Sequence, residues 1–389
     1  MTQKVLDDPF EFSTATRCLW LVPLLVPLSA VFGIWMERAT GLGIFAWLSV
    51  FLWYAVVPAL DWLFGNYPRR YLGAEVQRQL EADPFYRWLA MLLVPVHYIA
   101  FVASIWLLSY HPLTWSLVGH TIAIGLVTSL AINLGHELGH KQSRLEMVLA
   151  KFVLALGGYG HFRVEHNRGH HRKVATPDDP ASARFGESIY AFAQREIPGN
   201  WQGAWESERS RLAKNNKSPW TTQNEILQPL IVTATLYAAL TIWLGVPILF
   251  VLIAQAAVAW WQLTSSNYVE HYGLLRPRRP DGGYGRCGSE HSWNSDALVS
   301  NLALLSLQRH SDHHVHPARP FQALRNFDVA PQLPAGYPLL FLAALIPPVW
   351  QKIMDHRVLE LVKGDTTRVN MNKARKADRH SPNQVPRGV

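Results

Sequence analysis

Long apolar segments occupy much of the first 135 residues and return between residues 227 and 265. Six of them approach the ~20 residues that a helix needs to cross a bilayer. The predicted spans cover residues 18–35, 42–64, 87–110, 112–135, 227–245 and 247–265. Short turns join the first to the second, the third to the fourth and the fifth to the sixth. The pattern therefore predicts an all-α integral membrane protein with about six transmembrane helices in three hairpins.

Shorter apolar segments follow or interrupt the polar parts of the chain. Residues 298–307 and 337–350 are too short to cross, so we expect helices packed against the membrane face or re-entrant. The insert at 147–159 could also re-enter or cross. We expect residues 1–362 to form a single membrane-embedded domain, followed by a polar, disordered tail at 363–389.

Composition and charge agree with this assignment. The chain has 389 residues, of which 49% are hydrophobic, and its 16 tryptophans exceed what an ordinary soluble domain carries. Among the 36 Lys and Arg residues, only Arg38 falls in a predicted outward turn, which predicts a multi-pass protein of the inner membrane with both termini cytoplasmic. The net charge of +8 suits anionic lipid headgroups or an acidic protein partner, and no motif for nucleic acid accompanies it.

Histidines are concentrated in four short segments that the span model places on the cytoplasmic side. These are His136 to His140, Glu165 to His171, Asn267 to His271 and His310 to His314. Spacings of three and four residues place side chains on one face of a helix, so His166, His170 and His171 are expected to converge on one point. Imidazole clusters of this kind bind transition metals. Nine histidines of the chain's 17 are too many for one zinc ion, which predicts two metals.

The remaining histidines receive other assignments. His97 and His120 lie inside predicted spans and are expected to be packing residues, whereas His111 lies in an outward turn and is expected to face solvent. His316 is close to a motif but outside its spacing. With only Cys18 and Cys287, the chain cannot hold a four-thiolate cluster, so a redox partner with such a centre must be a separate protein.

One motif permits a different interpretation. His136-Glu137-Leu138-Gly139-His140 satisfies the pattern H-E-x-x-H of zinc proteases, in which the glutamate acts as a general base. An intramembrane zinc protease does not use the seven further clustered histidines. A metal transporter is a second alternative, but its ligands would be expected near the bilayer midplane and not beyond the span ends.

Taken together, the four segments resemble a known family. H-x3-H at 136–140, E-H-x3-H-H at 165–171, N-Y-x-E-H-Y-G at 267–273 and L-Q-R-H-S-D-H-H at 307–314 resemble the membrane-bound alkane 1-monooxygenases. More distantly they resemble the integral-membrane fatty acyl desaturases and hydroxylases. The resemblance extends from the first span to about Pro317. Acyl desaturation or hydroxylation on the same scaffold therefore stays open as an alternative.

The family resemblance implies both a metal centre and a reaction. It implies two non-haem iron ions, O2 as co-substrate, and oxidation of the terminal methyl group of a medium- or long-chain n-alkane to a primary alcohol. Electrons would come from a separate rubredoxin, supplied in turn by rubredoxin reductase and NADH. The iron ligands carried over by position are His136, His140, His166, His170, His171, His271, His310, His313 and His314.

Neighbours of these histidines and one tryptophan complete the prediction. Four carboxylates next to proposed ligands could each accept the second ring N–H of that ligand, or they could be solvated helix residues. One asparagine could donate a hydrogen bond to groups around the ligands, or it could end a helix. These residues are Glu137, Glu165, Glu270, Asp312 and Asn267. An alkane needs an apolar tunnel, and Trp53 is the candidate side chain that limits its length, with Trp260 and Trp261 as competitors. Any of the three could instead be a packing residue.

Overall fold

The computed structural model describes residues 13–66, 73–111 and 114–372. Within these residues the chain is helical, and extended pairing is limited to isolated bridges such as Phe185 with Met371. This confirms the predicted all-α class. Residues 373–389 of the predicted tail lie outside the described part of the chain.

The first half of the chain contains helices α1 to α8. Their bounds are Thr14–Leu19 (α1), Val22–Leu25 (α2), Leu28–Thr40 (α3), Leu48–Phe51 (α4), Val57–Phe64 (α5), Ala74–Ala82 (α6), Pro84–Leu108 (α7) and Trp115–Gly139 (α8). A 3-10 turn, Gly43–Trp47, leads into α4, and a π-helical turn, Leu52–Val56, joins α4 to α5. Pro23 and Pro27 lack the N–H that a helix interior requires, and the chain bends by 56° between Leu25 and Leu28.

The second half contains helices α9 to α18. Their bounds are Arg144–Ala155 (α9), Phe162–Glu165 (α10), His171–Lys173 (α11), Ile189–Ala213 (α12), Leu227–Leu244 (α13), Pro247–His271 (α14), Leu298–Ala303 (α15), His310–Val315 (α16), Tyr337–Ala344 (α17) and Pro347–Leu361 (α18). A second π-helical turn, His166–His170, joins α10 to α11. Short 3-10 turns occur at Ser289–His291, Phe321–Ala323 and Thr366–Arg368.

Among the described residues, five helices are long and apolar enough to cross a membrane. They are Gly43–Phe64, Ala74–Leu108, Trp115–Gly139, Leu227–Leu244 and Pro247–His271. Two bent pairs, Thr14–Leu25 with Leu28–Thr40 and Tyr337–Ala344 with Pro347–Leu361, raise the number to seven if each is one span. The predicted six falls within this range. The second pair is bent by 119°, and such a bend occurs in a broken span as well as in a re-entrant segment like the one expected at residues 337–350.

Helix α8 lies at the centre of the bundle, packed against α7, α9 and α14. Two glycines allow close approach: a Cβ at Gly125 would lie 2.5 Å from Val258 Cβ, and one at Gly135 would lie 2.5 Å from Leu154 Cγ. Small residues of this kind let membrane helices approach closely. Because α8 and α14 both continue as helices into their histidine segments, this packing brings His136 and His271 to the same end of the bundle.

The start of the predicted tail needs correction. Phe185 N–H donates to the Asn370 carbonyl at 2.7 Å, and Asn370 N–H donates to the Gly273 carbonyl at 3.1 Å. Val369 and Asn370 are buried. Residues 363–372 therefore pack on the domain, because their backbone groups find partners in the loops after α11 and α14. Polar composition alone did not reveal this pairing.

Candidate metal centre

The nine predicted histidines meet at one end of the bundle in two neighbouring groups. Within each group, the potential ligand atoms all lie within 4.8 Å of one another. The five-histidine group consists of His136, His140, His166, His171 and His313, and the four-histidine group of His170, His271, His310 and His314. The rings of His171 and His314, one from each group, have centroids 4.5 Å apart. The cluster could therefore hold two metal ions side by side.

The π-helical turn determines which histidines of the segment Glu165 to His171 belong to each group. In this wider turn His171 N–H donates to the His166 carbonyl, five residues earlier. His171 Nε2 consequently lies 3.0 Å from His166 Nε2, while His170 joins the other group. The expectation that these three imidazoles converge on one point is wrong, because it assumed the regular α-helical turn.

Helix α16 is shared between the groups as well. His310 and His314 are four residues apart, and their Nε2 atoms lie 2.9 Å from each other. His313 faces the opposite way, with its Nε2 2.8 Å from His136 Nε2 and 3.1 Å from His171 Nε2. This short helix therefore contributes to both groups and holds them next to each other.

The nitrogen geometry fits transition-metal ligands. Two nitrogens bound to one ion at about 2.0–2.1 Å lie about 3–3.5 Å apart, close to the separations seen here. The Nε2 atoms of His140, His170 and His271 are buried without a hydrogen-bond partner in the described part of the chain. A buried acceptor left unpaired is costly, and a bound metal ion would remove that cost.

The protonation state of the rings also favours metal binding. Burial, reinforced by neighbouring imidazoles, holds the pKa of His140, His166, His171, His313 and His314 well below the usual value. These rings are neutral near pH 7. Metal ions therefore meet little competition from protons at these nitrogens.

Two outer contacts orient ligands of the four-histidine group. His170 Nδ1–H donates to Asp179 Oδ2 at 2.9 Å, and His271 Nδ1–H donates to the His291 carbonyl at 3.2 Å. In each ring Nε2 is thereby left unprotonated and free to bind a metal. The Ser182 hydroxyl donates to Asp179 Oδ2 at 2.6 Å and fixes the carboxylate.

Sequence reasoning missed Asp179, which follows His170 by nine residues. The predicted carboxylates are those next to a ligand in the sequence, whereas a loop brings Asp179 back to His170. It also missed Glu196 of α12, which is buried and accepts from Asn267 Nδ2 at 2.9 Å and from the Thr264 hydroxyl at 2.8 Å. Burial raises the pKa of Glu196 to about 7. No sequence spacing marks either residue.

Three of the five predicted neighbours lie close to the centre. Glu270 Oε2 is 3.3 Å from His310 Nε2. The Glu165 carboxylate lies over Gly169, where an added Cβ would be 2.7 Å from Oε1. Its pKa is raised by burial and by the nearby Asp179. Asn267 lines the pocket beside the histidines and donates to Glu196.

The other two predicted neighbours point elsewhere. Glu137 pairs with Lys141 Nζ at 2.7 Å and accepts from the backbone N–H of Phe321 at 3.3 Å. Asp312 accepts from His316 Nδ1–H at 2.7 Å and from the guanidinium of Arg319. Both carboxylates have these partners in place of a ligand ring. His316, which stood just outside the motif spacing, is likewise engaged with Asp312.

Two neighbouring cavities lie among the apolar helices and beside the histidines. An apolar cavity of about 350 Å³ is lined by residues of α2 to α5, α8 and α15, among them Leu52, Trp53 and Leu130. A smaller pocket beyond it is lined by His136 and His310. Trp53 and Leu130 line both spaces, so they lie between the apolar cavity and the metal centre.

The competing tryptophans have packing partners. Trp260 Nε1–H donates to the Gly157 carbonyl at 2.7 Å, and its ring meets that of Tyr159 at 4.9 Å. Trp261 contacts the ring of Tyr190 at 5.8 Å. Neither belongs to the walls of the two cavities just described. Of the three candidates, Trp53 therefore has the position expected of a side chain that limits the tunnel.

Histidines outside the nine are also buried. His161 packs against Tyr159 and Trp201, with ring centroids 4.4 and 4.9 Å away, and burial lowers its pKa to about 3. The expectation that His111 faces solvent is wrong, because its side chain is 6% exposed. The turn after α7 folds it inward against Glu37 of α3.

Known proteins are similar in sequence to this chain along most of its length. The family model described as fatty acid desaturase matches residues 112–343. An alkane 1-monooxygenase of Ectopseudomonas oleovorans is 47% identical over 373 residues, which are 95% of this chain and 92% of that protein. Alkane 1-monooxygenase of Pseudomonas putida is 45% identical, covering 96% and 93%. Alkane 1-monooxygenase 1 of Alcanivorax borkumensis is 46% identical, covering 95% and 94%. The chain therefore belongs to the alkane 1-monooxygenases, within the wider fatty acid desaturase family.

Proposed function

We propose that this protein uses O2 to hydroxylate the terminal methyl group of medium- or long-chain n-alkanes to primary alcohols. The observation that carries the proposal is the convergence of nine histidines, in two groups, beside a small pocket that adjoins an apolar cavity. Relatives named as alkane 1-monooxygenases match nearly the whole chain, which supports the choice of substrate.

The two histidine groups are proposed to hold two non-haem iron ions. Imidazole suits iron as well as zinc, copper and nickel, so the ligands alone do not select the metal. When bound, iron supplies the O2 chemistry that an unactivated C–H bond requires. The protein's own part is to hold neutral rings in fixed tautomers through partners such as Asp179, and to keep the site dry.

The zinc-protease alternative loses support from the structure. Its pattern needs a glutamate that can act on water beside the metal. Glu137 instead pairs with Lys141 at 2.7 Å. The metal-transporter alternative also loses support. The histidines lie at the ends of α8 and α14 and beyond, not midway along these helices.

An alkane matches the shape and polarity of the cavities. It has no polar group for the protein to bind, so apolar walls and length must select it. A chain lying in the 350 Å³ cavity would pass Trp53 and Leu130 to present its end towards His136 and His310. This placement favours oxidation at the terminal carbon. An acyl-CoA would also require a polar groove for its head group.

Rubredoxin, supplied by its reductase and NADH, is the proposed electron donor. Arg172 and Lys173 directly follow His171 and are exposed, so positive charge lies next to the metal centre. Such charge would attract an acidic donor. The distribution of Lys and Arg supports the proposal that this end of the bundle is on the cytoplasmic side of the inner membrane. Turnover should fall steeply with added salt, and a salt-independent rate would count against this docking.

Product analysis tests the proposed reaction. Iron-loaded membranes would receive rubredoxin, rubredoxin reductase, NADH and ¹⁸O2, with mixed n-alkanes and a long-chain acyl-CoA as competing substrates. Gas chromatography with mass spectrometry should detect ¹⁸O-labelled primary alkanols. A double bond in the acyl chain without label would reject the alkane assignment in favour of desaturation.

Replacement of Trp53 by serine tests the substrate path. Removing the indole should lengthen the cavity and extend the range of accepted alkanes, measured as the chain lengths of the alcohols formed. Trp261→Ser is the matched control, because Trp261 packs on Tyr190 and does not line the cavities. An unchanged product profile in Trp53→Ser would exclude this role.

A further inference from the structure

A second cluster of metal-binding side chains lies at the other end of the bundle. It consists of Glu37 near the end of α3, His111 after α7 and His120 in the second turn of α8. His120 and His136 are on the same helix, and their separation along it corresponds to about 24 Å at 1.5 Å per residue. The cluster is thus remote from the nine histidines and takes no part in the proposed reaction.

The three side chains converge on a small space. Glu37 Oε2 lies 2.5 Å from His120 Nε2, and Glu37 Oε1 lies 3.4 Å from His111 Nε2. The two imidazole rings have centroids 5.3 Å apart. All three ligand atoms lie within 4.8 Å of one another, and the side chains of Glu37, His111 and His120 are 12%, 6% and 1% exposed.

Gly43 and Ser116 lie beside the carboxylate of Glu37. At Gly43 an added Cβ would lie 2.9 Å from Ser116 Oγ and 3.7 Å from Glu37 Oε1, so a larger residue there would press on the cluster. The adjacent cation, Arg38, donates to the Leu107 carbonyl at 2.8 Å and lies over the Tyr110 ring. The guanidinium of Arg38 is therefore directed towards the Leu107 carbonyl and the Tyr110 ring.

Two imidazoles and one carboxylate form a recognised donor set. Zinc sites with two histidines and one glutamate keep a fourth position for water, and their ligand atoms lie about 2.0–2.2 Å from the metal. The observed separations need only small side-chain rotations to reach that geometry. A hydrogen-bonded Glu37 bridge between the two rings, without metal, is the competing explanation and is an outcome of the experiment below.

We propose that Glu37, His111 and His120 bind one divalent transition-metal ion, with Zn²⁺ as the favoured species. The ion would join α3 to the hairpin of α7 and α8. Ser29 of α3 and Leu126 of α8 line the apolar cavity, so the ion would hold two of its walls together. Its role would be structural, and the site is independent of the nine-histidine centre.

Metal analysis of the full-length, iron-loaded protein in lipid nanodiscs tests the proposal. After equilibrium dialysis against micromolar Zn²⁺, the wild-type protein should retain one zinc per chain with its iron content unchanged. His111→Gln and Glu37→Gln should each weaken zinc binding by at least about tenfold, since even outer partners of metal ligands have effects of 10–100-fold. The exposed His356→Gln and Glu75→Gln are matched controls and should bind zinc as the wild type does.

Two further readouts separate loss of zinc from loss of fold. Zinc should raise the Tm of the wild-type protein and of both controls, but not of His111→Gln or Glu37→Gln. Zinc-edge X-ray absorption needs no variant, and it should show two imidazoles together with oxygen ligands. Absence of the extra zinc, equal binding in all variants, or a coordination shell of oxygen alone or of four or five imidazoles would overturn the proposal.

Discussion

The two histidine groups differ in the hydrogen-bond partners and carboxylates that surround their rings. In the four-histidine group, Asp179 fixes His170, the His291 carbonyl fixes His271, and Glu270 lies 3.3 Å from His310. Across the described ranges, no carboxylate comes within ion-pair distance of any ring in the five-histidine group. A metal in the four-histidine group would have its charge partly compensated. A metal in the five-histidine group would depend on neutral imidazoles alone.

This difference implies that the two proposed metals would not be equivalent. A carboxylate that accepts the outer N–H of a ligand makes the ring a better donor and lowers the net charge at the metal. The metal of the four-histidine group should therefore be bound more tightly. The metal of the five-histidine group would have more ligands, but fewer of their rings are held by hydrogen-bond partners. This metal should therefore leave first when a chelator is added.

Removal of one ligand from each group should give the largest effects. His313 and His314 are adjacent on α16 but belong to different groups. We expect His313→Ala and His314→Ala each to lose one of two irons per chain and to lower turnover by at least ~100-fold, beyond the loss typical of an outer partner. Elemental analysis and turnover assays measure both. His316→Ala is the control, and two irons in every variant would contradict the grouping.

Replacement of Asp179 by asparagine should act on one group only. Asparagine keeps the shape and an acceptor for His170 Nδ1–H but removes the charge. The affinity of the four-histidine group should fall by about 10–100-fold, while the other group keeps its metal. Competition with a chelator, followed by the release of each iron, measures this. Asp178→Asn is the matched control, because Asp178 is exposed; equal release rates from the two variants would contradict the prediction.

His161 tests what burial alone does to a histidine outside both groups. Its pKa is about 3 in the fold because of burial, against about 6.5 in the unfolded chain. Below pH 6.5 the unfolded chain therefore takes up a proton that the folded protein does not. As the pH falls below 6.5, this residue should lower the free energy of unfolding by about 1.4 kcal/mol per pH unit. Above pH 6.5 the residue should have no effect on the free energy of unfolding.

The replacement His161→Phe should remove that dependence. The phenyl ring can keep the contacts with Tyr159 and Trp201. Comparing unfolding at pH 7.5 and 5.5 should show a smaller loss in the variant than in the wild type. His356→Phe, at an exposed position, should leave the pH dependence unchanged. An identical pH dependence in His161→Phe and the wild type would show that burial of His161 does not depress its pKa.

Replacement of Glu137 by glutamine should have the smallest effect. Its largely buried carboxylate pairs with Lys141 away from the ligand rings, so glutamine should lower the free energy of unfolding more than the activity. Iron content should be unchanged and turnover should stay within about twofold of wild type. A loss of several orders of magnitude would instead restore Glu137 to the chemistry and favour the protease interpretation.

The helices could be predicted because an apolar segment of about 20 residues has few alternatives in a membrane. Spans 42–64 and 227–245 agree with Gly43–Phe64 and Leu227–Leu244. The bend after Leu25 and the packing of residues 363–372 were not predicted. Both depend on where neighbouring parts of the chain supply space and hydrogen-bond partners, which no local pattern contains.

The histidines stood out in the sequence, but their division into two groups did not. Spacing identified the candidate ligands. The π-helical turn depends on tertiary contacts, and it assigns His166 and His171 to the five-histidine group and His170 to the four-histidine group. One such contact is the hydrogen bond from Asn167 Nδ2 to the Gly139 carbonyl, which attaches the turn to the end of α8. Asp179 escaped prediction for a similar reason, since a loop and not a helix positions it.

The position of α16 in the chain has a consequence for biosynthesis. His313 follows its neighbour His136 by 177 residues. At 5–20 residues per second, a ribosome needs on the order of ten to forty seconds between the two. Until α16 emerges, neither histidine group is complete, although every long apolar helix has already been synthesised. Insertion of the proposed metals would thereby be delayed until most of the chain has been synthesised, and a chain that ends before α16 could not assemble either complete histidine group.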